Sequence, residues 1–188
     1  MSRVFFISDL HFGHKNLANA VRKMSVEDND ALIISNWNKT VNKKDTVYVL
    51  GDLTMENHKL IEPLISQLNG NITIIGGNHD DKKCCRELCR LGIITMGALE
   101  YKGFICTHIP VHRMEVSGKY RGNIHGHIHS RDIDYGDLYF NVCCELINYT
   151  PILFDKLVEL FLKKQNDSSC SVLPQKRKKF IKRSSEIH

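Results

Sequence analysis

The chain has 188 residues, 42% of them hydrophobic and 25% charged, with a formal net charge of +5 and a pI near 8.8. That length argues for one domain rather than two, and the balance is ordinary for a soluble globular protein able to bury a substantial core without staples. No apolar run approaches the roughly 20 residues of a membrane span, and the stretch in MSRVFFISDLHF is too short for a signal peptide. The charge is uneven. Residues 1–162 hold 18 basic and 19 acidic side chains, whereas the chain from Lys163 onward holds eight Lys or Arg against only Asp167 and Glu186. The seven cysteines (84, 85, 89, 106, 143, 144 and 170) are odd in number and include two adjacent pairs. They read as reduced packing residues in a cytoplasmic compartment rather than a disulfide framework.

Residues 3–8, RVFFIS, form a short apolar run that stops at Asp9, the pattern of a buried strand. SVED opens a helix over 25–42, with Leu32, Ile33, Trp37 and Val41 at helical spacing and Trp37 on the core face. TVYVL at 46–50 is a second strand, ending at Gly51-Asp52. Leu60, Ile61, Leu64, Ile65 and Leu68 predict an amphipathic helix closed by Asn69-Gly70. NITII at 71–75 is a third strand, ending at Gly76-Gly77-Asn78-His79, and a helix follows over 81–91 with Gly92 as its cap. The first half is thus β-α-β-α-β, which implies parallel strands. Hairpins are expected at 98–101/104–108 and 131–135/138–143, with a short strand at 123–127 between them, so the second half reads as a β-meander. Thr150-Pro151 leads into a last helix near 154–164. Residues 1–164 form the domain, and 165–188 read as a basic, disordered tail.

Strand after strand ends in metal-ligand residue types. The ends carry Asp9-Leu10-His11, Gly51-Asp52, Asn78-His79-Asp80, Thr107-His108 and Gly126-His127-Ile128-His129. Sites in open α/β sheets form outside the carboxyl ends of the strands, so the five clusters converge on one rim. Two carboxylates, four imidazoles and one amide oxygen suit Mn²⁺, Fe²⁺ or Zn²⁺. Seven ligands exceed the needs of one tetrahedral ion and match two ions sharing a carboxylate, an arrangement that clamps displacement at phosphorus. The glycines before Asp52, Asn78 and His127 fit turns where backbone approaches a site closely.

The order DxH, GD, GNH(D/E), (G/T)H, GHxH over about residues 3–160 resembles the calcineurin-like metallophosphoesterase superfamily. SDLHFGHKN and THIP are most similar to its small bacterial and phage-type members. The resemblance implies an α/β fold of two mixed β-sheets flanked by helices. It implies two divalent metal ions, manganese first, with iron, zinc or nickel as alternatives. Carried over, Asp9, His11 and His129 hold one metal, Asp52 bridges, and Asn78, His108 and His127 hold the other. His79 is the catalytic histidine that is not a ligand. The activity implied is hydrolysis of a phosphodiester of nucleotide or cyclic-nucleotide type by metal-activated hydroxide. The alternatives are a phosphomonoesterase on nucleotides or small phosphates and, from another class, an inactive scaffold or nucleic-acid-binding protein on the same fold.

Members acting on phosphoproteins read GDxxDRG, whereas this chain reads GDLTMEN, with Met55 and Glu56 in place of the Asp and Arg. That argues against a protein phosphatase and leaves His79 to be oriented by a backbone carbonyl or by Asp80. His14 and Arg113 are candidates for substrate phosphate, followed by Asn16, His112 and Arg121. His58 and His125 read as structural. The basic run KRKK at 176–179 supports weak nucleic-acid contact or, in a eukaryotic host, nuclear localisation. No membrane contact is expected.

Overall fold

The computed structural model describes residues 2–55, 58–131 and 136–170. In chain order it contains strand β1 (Val4–Ile7), a π-helical turn at Leu17–Val21, helix α1 (Val26–Thr40), β2 (Thr46–Leu50), α2 (Ile61–Ile65), β3 (Asn71–Ile75), α3 (Lys82–Arg90), β4 (Ile94–Met96), β5 (Leu99–Tyr101), β6 (Phe104–Cys106), α4 (Arg113–Val116), β7 (Gly122–His125), β8 (Tyr139–Asn141), β9 (Ile152–Leu153) and α5 (Phe154–Cys170). One sheet has the order β4-β3-β2-β1-β9, and the other β5-β6-β7-β8. Both are mixed. β1 to β4 run parallel while β9 is antiparallel to β1, and β6 to β8 run parallel while β5 is antiparallel to β6.

The continuous apolar runs of the first strands are explained by burial on both faces. Phe5, Ile7, Val47, Val49 and Ile74 pack against Ile33 and Trp37 of α1, Ile61 of α2 and Leu88 of α3. Phe6, Leu50 and Ile75 pack with Phe104, Cys106 and Ile124 of the second sheet and with Phe154, Leu157 and Phe161 of α5. The two sheets meet where β1 ends. Ser8 N–H donates to the Val142 carbonyl (2.9 Å), and Cys144 N–H donates to the Ser8 carbonyl (3.1 Å).

Local signals placed several elements correctly. Ser25 caps α1 by accepting from Asp28 N–H, and Asp81 caps α3 by accepting from the N–H groups of Lys83 and Cys84. Trp37 is fully buried, its indole N–H donating to the Asn69 carbonyl. Cys84, Cys106, Cys143 and Cys144 are buried, whereas Cys89 is exposed and Cys85 half-buried.

The meander is overturned: β6, β7 and β8 are parallel neighbours. The connections over 107–121 and 126–138 are long enough to bring the chain back to the same end, as a parallel pair requires. Of the second expected hairpin, residues 132–135 lie outside the described residues, and β8 pairs with β7 instead. The polar loop after His108 contains α4, with His112 as its N-cap. β4 and β9 were not foreseen. α5 runs six residues beyond 164, and the basic run at 176–179 lies outside the described residues.

Candidate metal centre

The strand ends converge as the residue types demanded, and the backbone there is strained. Asp9 (φ 56°), His11 (49°), Asp52 (54°), His127 (72°) and His129 (49°) all occupy the left-handed region. Non-glycine residues are uncommon in it, and clusters of them mark sites where surrounding structure enforces a geometry. Close backbone approach is also evident. A Cβ on Gly77 would fall on the Asp52 carboxylate, and one on Gly126 on Ser8 Oγ and the Asp9 carboxylate.

Asp9 is fully buried. Its Oδ2 accepts from the His127 N–H (2.8 Å) and the Cys143 thiol (3.0 Å), with the Ser8 hydroxyl at 2.5 Å. Among the described residues its Oδ1 is buried without a hydrogen-bond partner, as are both ring nitrogens of His11. Oδ1 lies 3.7 Å from His11 Nε2 and 3.6 Å from His129 Nε2. Asp52 Oδ2 stands 3.5 Å from His11 Nε2 and 3.4 Å from His108 Nε2. Two atoms each about 2.1 Å from one ion stand roughly 3.0–3.5 Å apart, close to these separations. Asp9, His11 and His129 form one set of potential ligands within 4.8 Å of one another, and Asp9, Asp52 and His108 form a second. The carboxylate and imidazole atoms, three of them orphaned in the interior, fit a divalent cation.

The histidines are pre-set for such a role. His108 Nδ1 donates to the Leu50 carbonyl at 2.8 Å, which aims Nε2 at Asp52 and, at 2.8 Å, at Asn78 Oδ1. His129 Nδ1 donates to Glu145 Oε1 at 3.0 Å, directing Nε2 at Asp9. Arg22, buried, donates from Nε to that same Glu145 oxygen (2.9 Å) and from Nη2 to the Asp9 carbonyl (2.6 Å), and its Nη2 also makes an ion-pair contact with Glu145 Oε1 at 2.9 Å. Burial pushes the Asp9 carboxyl up, but the surrounding hydrogen bonds hold it well below the usual carboxylate range. Burial likewise opposes the charged forms of Glu145 and His108. Glu145 is nevertheless lowered by His129 and Arg22, and His108 is raised by Asp52.

The other expected residues take different places. His127 stands beside His108, with ring centroids 5.0 Å apart, and is in neither three-residue set. His79 is exposed at the rim, its ring edge-on to His11 at 5.4 Å and its N–H donating to Asp52 Oδ1. Asp80 does not orient it. That carboxylate accepts from the N–H groups of Asp52, Leu53 and Gly77, stapling two ligand turns together. His14 is edge-on to His11 at 5.5 Å. Arg113 is 63% exposed and faces Asp137 at 3.9 Å. Arg22, Glu145, Ser8 and Cys143 were missed. Glu145 carried a signal, since it follows β8, another strand ending at the same rim. Buried His125, its pKa pushed down by burial to about 4, is a core residue as expected. A larger cavity of about 710 Å³ between β8, β9 and α5 is lined by none of the candidate ligands.

Residues 2–142 match the sequence model of the calcineurin-like phosphoesterase superfamily domain, and the chain belongs to that superfamily. It is 34% identical over 180 residues to an uncharacterised protein of Methanocaldococcus jannaschii, covering 87% of this chain and 93% of that one. It is 42% identical over 85 residues to the gene 66 protein of Mycobacterium phage L5, covering 43% of this chain and 41% of that one. Among solved structures, a protein of unknown function from Aquifex aeolicus superposes with a TM-score of 0.70 at 26% identity, over 85% of this chain and all of the other.

Proposed function

We propose that the protein is a divalent-metal-dependent phosphodiesterase acting on nucleotide-type esters, with manganese as the working metal. The observation that carries this reading is the pair of overlapping ligand sets sharing Asp9, with Asp9 Oδ1 and His11 Nε2 buried and unbonded between them. Asp9, His11 and His129 would hold one ion, with Asp52, His108, Asn78 and His127 available to the other. Two ions held there would lower the pKa of a water and neutralise charge building on phosphoryl oxygens. The chain's own part is to aim the ligand atoms and to keep His79 at the rim. From there its ring can hold a proton for the leaving oxygen. The diester preference is supported by GDLTMEN, which lacks the Asp and Arg of the phosphoprotein pattern and exposes Met55 in their region. No helix of the described residues is long and apolar enough to cross a membrane. The free cysteines fit a reducing, cytoplasmic setting.

The test is turnover of bis-p-nitrophenyl phosphate against p-nitrophenyl phosphate with added Mn²⁺. Preference for the diester is expected, and preference for the monoester would replace this reading with that of a phosphomonoesterase. His79→Ala should lower kcat by about 10²–10⁴ while bound Mn²⁺ stays unchanged. Asp52→Ala should lose both metal and turnover. Undiminished hydrolysis by either variant would sink the assignment of roles.

A further inference from the structure

We propose that the cleft beside Asn78 and His108 is a subsite for a planar, uncharged group esterified to the phosphate, an aryl ring or a nucleobase. This rests on the phosphoesterase reading above. The cleft has a volume of about 380 Å³ and lies past the ends of β3, β4 and β6. It is continuous with the candidate metal centre, because Asn78 and His108 line both.

Its floor is backbone. Gly76 follows β3 and Gly97 follows β4, and Gly76 N–H donates to the Met96 carbonyl at 2.8 Å. Neither glycine has a positive φ. A Cβ on Gly97 would meet nothing within 4 Å, and one on Gly76 only the Met96 carbonyl oxygen at 4.0 Å. Neither backbone strain nor packing requires glycine at these two places, in contrast with Gly77 in the same lining. The side chains these two glycines lack leave open space at the cleft.

A second wall is formed by Thr107, His108, Ile109 and Val111, with Ile109 half-exposed. This wall is already fixed. Asn123 Oδ1 accepts from Val111 N–H (3.0 Å), Asn123 Nδ2 donates to Thr107 Oγ1 (3.0 Å), and the Tyr139 hydroxyl donates to the Val111 carbonyl (2.9 Å). Thr107 Oγ1 in turn donates to the Ile109 carbonyl at 2.8 Å, so its hydroxyl is engaged within the wall. Among the described residues no Lys, Arg, Asp or Glu lines the cleft. A second phosphate would find no side-chain counter-charge among these lining residues, whereas an uncharged ring would find glycine backbone on one wall and apolar Ile109 and Val111 on the other.

Phenylphosphonate and methylphosphonate share an anionic head and cannot be hydrolysed at the P–C bond. They are to be compared as inhibitors of bis-p-nitrophenyl phosphate turnover and by calorimetry on the Mn²⁺-loaded full chain. Phenylphosphonate should bind at least about tenfold more tightly, the return on burying one ring. Gly97→Leu, which adds a bulky side chain to the cleft lining, should bring that ratio towards one by weakening the phenyl compound. Ile109→Ala, which removes the apolar wall without crowding the backbone, should lower the ratio too and guards against a misfolded Gly97→Leu. Equal affinities in the wild type, or a ratio that survives both substitutions, would overturn the subsite. Failure of both phosphonates to bind, with no phosphate ester turned over, would instead overturn the phosphoesterase reading and the subsite with it.

Discussion

Glu145 Oε1 accepts from His129 Nδ1 and from Arg22 Nε and is ion-paired with Arg22 Nη2, and the same guanidinium holds the Asp9 and Leu10 carbonyls. One buried cation thus ties together the backbone of one candidate ligand and the carboxylate that orients another. A carboxylate on the far nitrogen of a ligating histidine fixes its tautomer and typically carries 10–100-fold of metal affinity. Glu145→Ala should therefore weaken Mn²⁺ binding by about that factor, with stoichiometry at limiting metal falling from two ions towards one. Glu145→Gln, which keeps an acceptor oxygen, should restore most of it. Two ions bound by Glu145→Ala with wild-type affinity would show the contact to be structural only. The ligand types were legible in the sequence because Asp, His and Asn recur at successive strand ends. Arg22 and Glu145 were not legible. They lie 123 positions apart, and a buried ion pair leaves no periodic trace in a single sequence.

At the scale of elements, the starts of β1 and β2 are clamped by Arg3 and Asp45. The Asp45 carboxylate accepts from Arg3 N–H (2.9 Å), Nε (3.2 Å) and Nη2 (2.6 Å) and from Asn42 N–H (2.9 Å). This pins the parallel register in which Val4 faces Thr46. The Arg3 guanidinium lowers the Asp45 pKa from 3.8 to about 2 against the opposing effect of burial. Asp45→Asn should cost about 1–3 kcal/mol of stability. A lowered carboxyl pKa contributes stability above its unfolded value and loses it as pH falls through the folded one. The Tm gap between wild type and Asp45→Asn should therefore be full above pH 3.8 and close towards about pH 2. A gap independent of pH would point to shape rather than charge. β1, β2 and β3 were readable because each is a continuous apolar run that ends in a polar turn. β4, α4 and β9, with three, four and two residues, are too short to repeat a period, and unlike β5 and β6 they do not flank a turn such as Lys102-Gly103 that would mark them. The direction of β7 and β8 is set by the long connections before them, not by their own residues.

Over the whole molecule, the charge that composition reports and the charge that would meet a phosphate lie in different places. Residues 171–188 carry six Lys or Arg and one Glu, so the rest of the chain holds 20 basic and 20 acidic side chains. A neutral body with Asp9 and Asp52 buried at its candidate centre would draw a phosphate ester through bound divalent cations, which the formal count omits. The basic tail would instead contribute salt-sensitive attraction for polyanions. Removing residues 171–188 should leave kcat/KM for bis-p-nitrophenyl phosphate unchanged at every salt concentration. The full chain should bind a fluorescent single-stranded oligonucleotide of mixed sequence with an affinity that falls steeply between about 50 and 200 mM salt, and the shortened chain should lack most of that dependence. If the shortened chain loses turnover of the small ester, the tail belongs to the catalytic unit and the division of labour is wrong. If it keeps the salt-dependent oligonucleotide affinity, the body carries a polyanion surface of its own and the tail does not account for it.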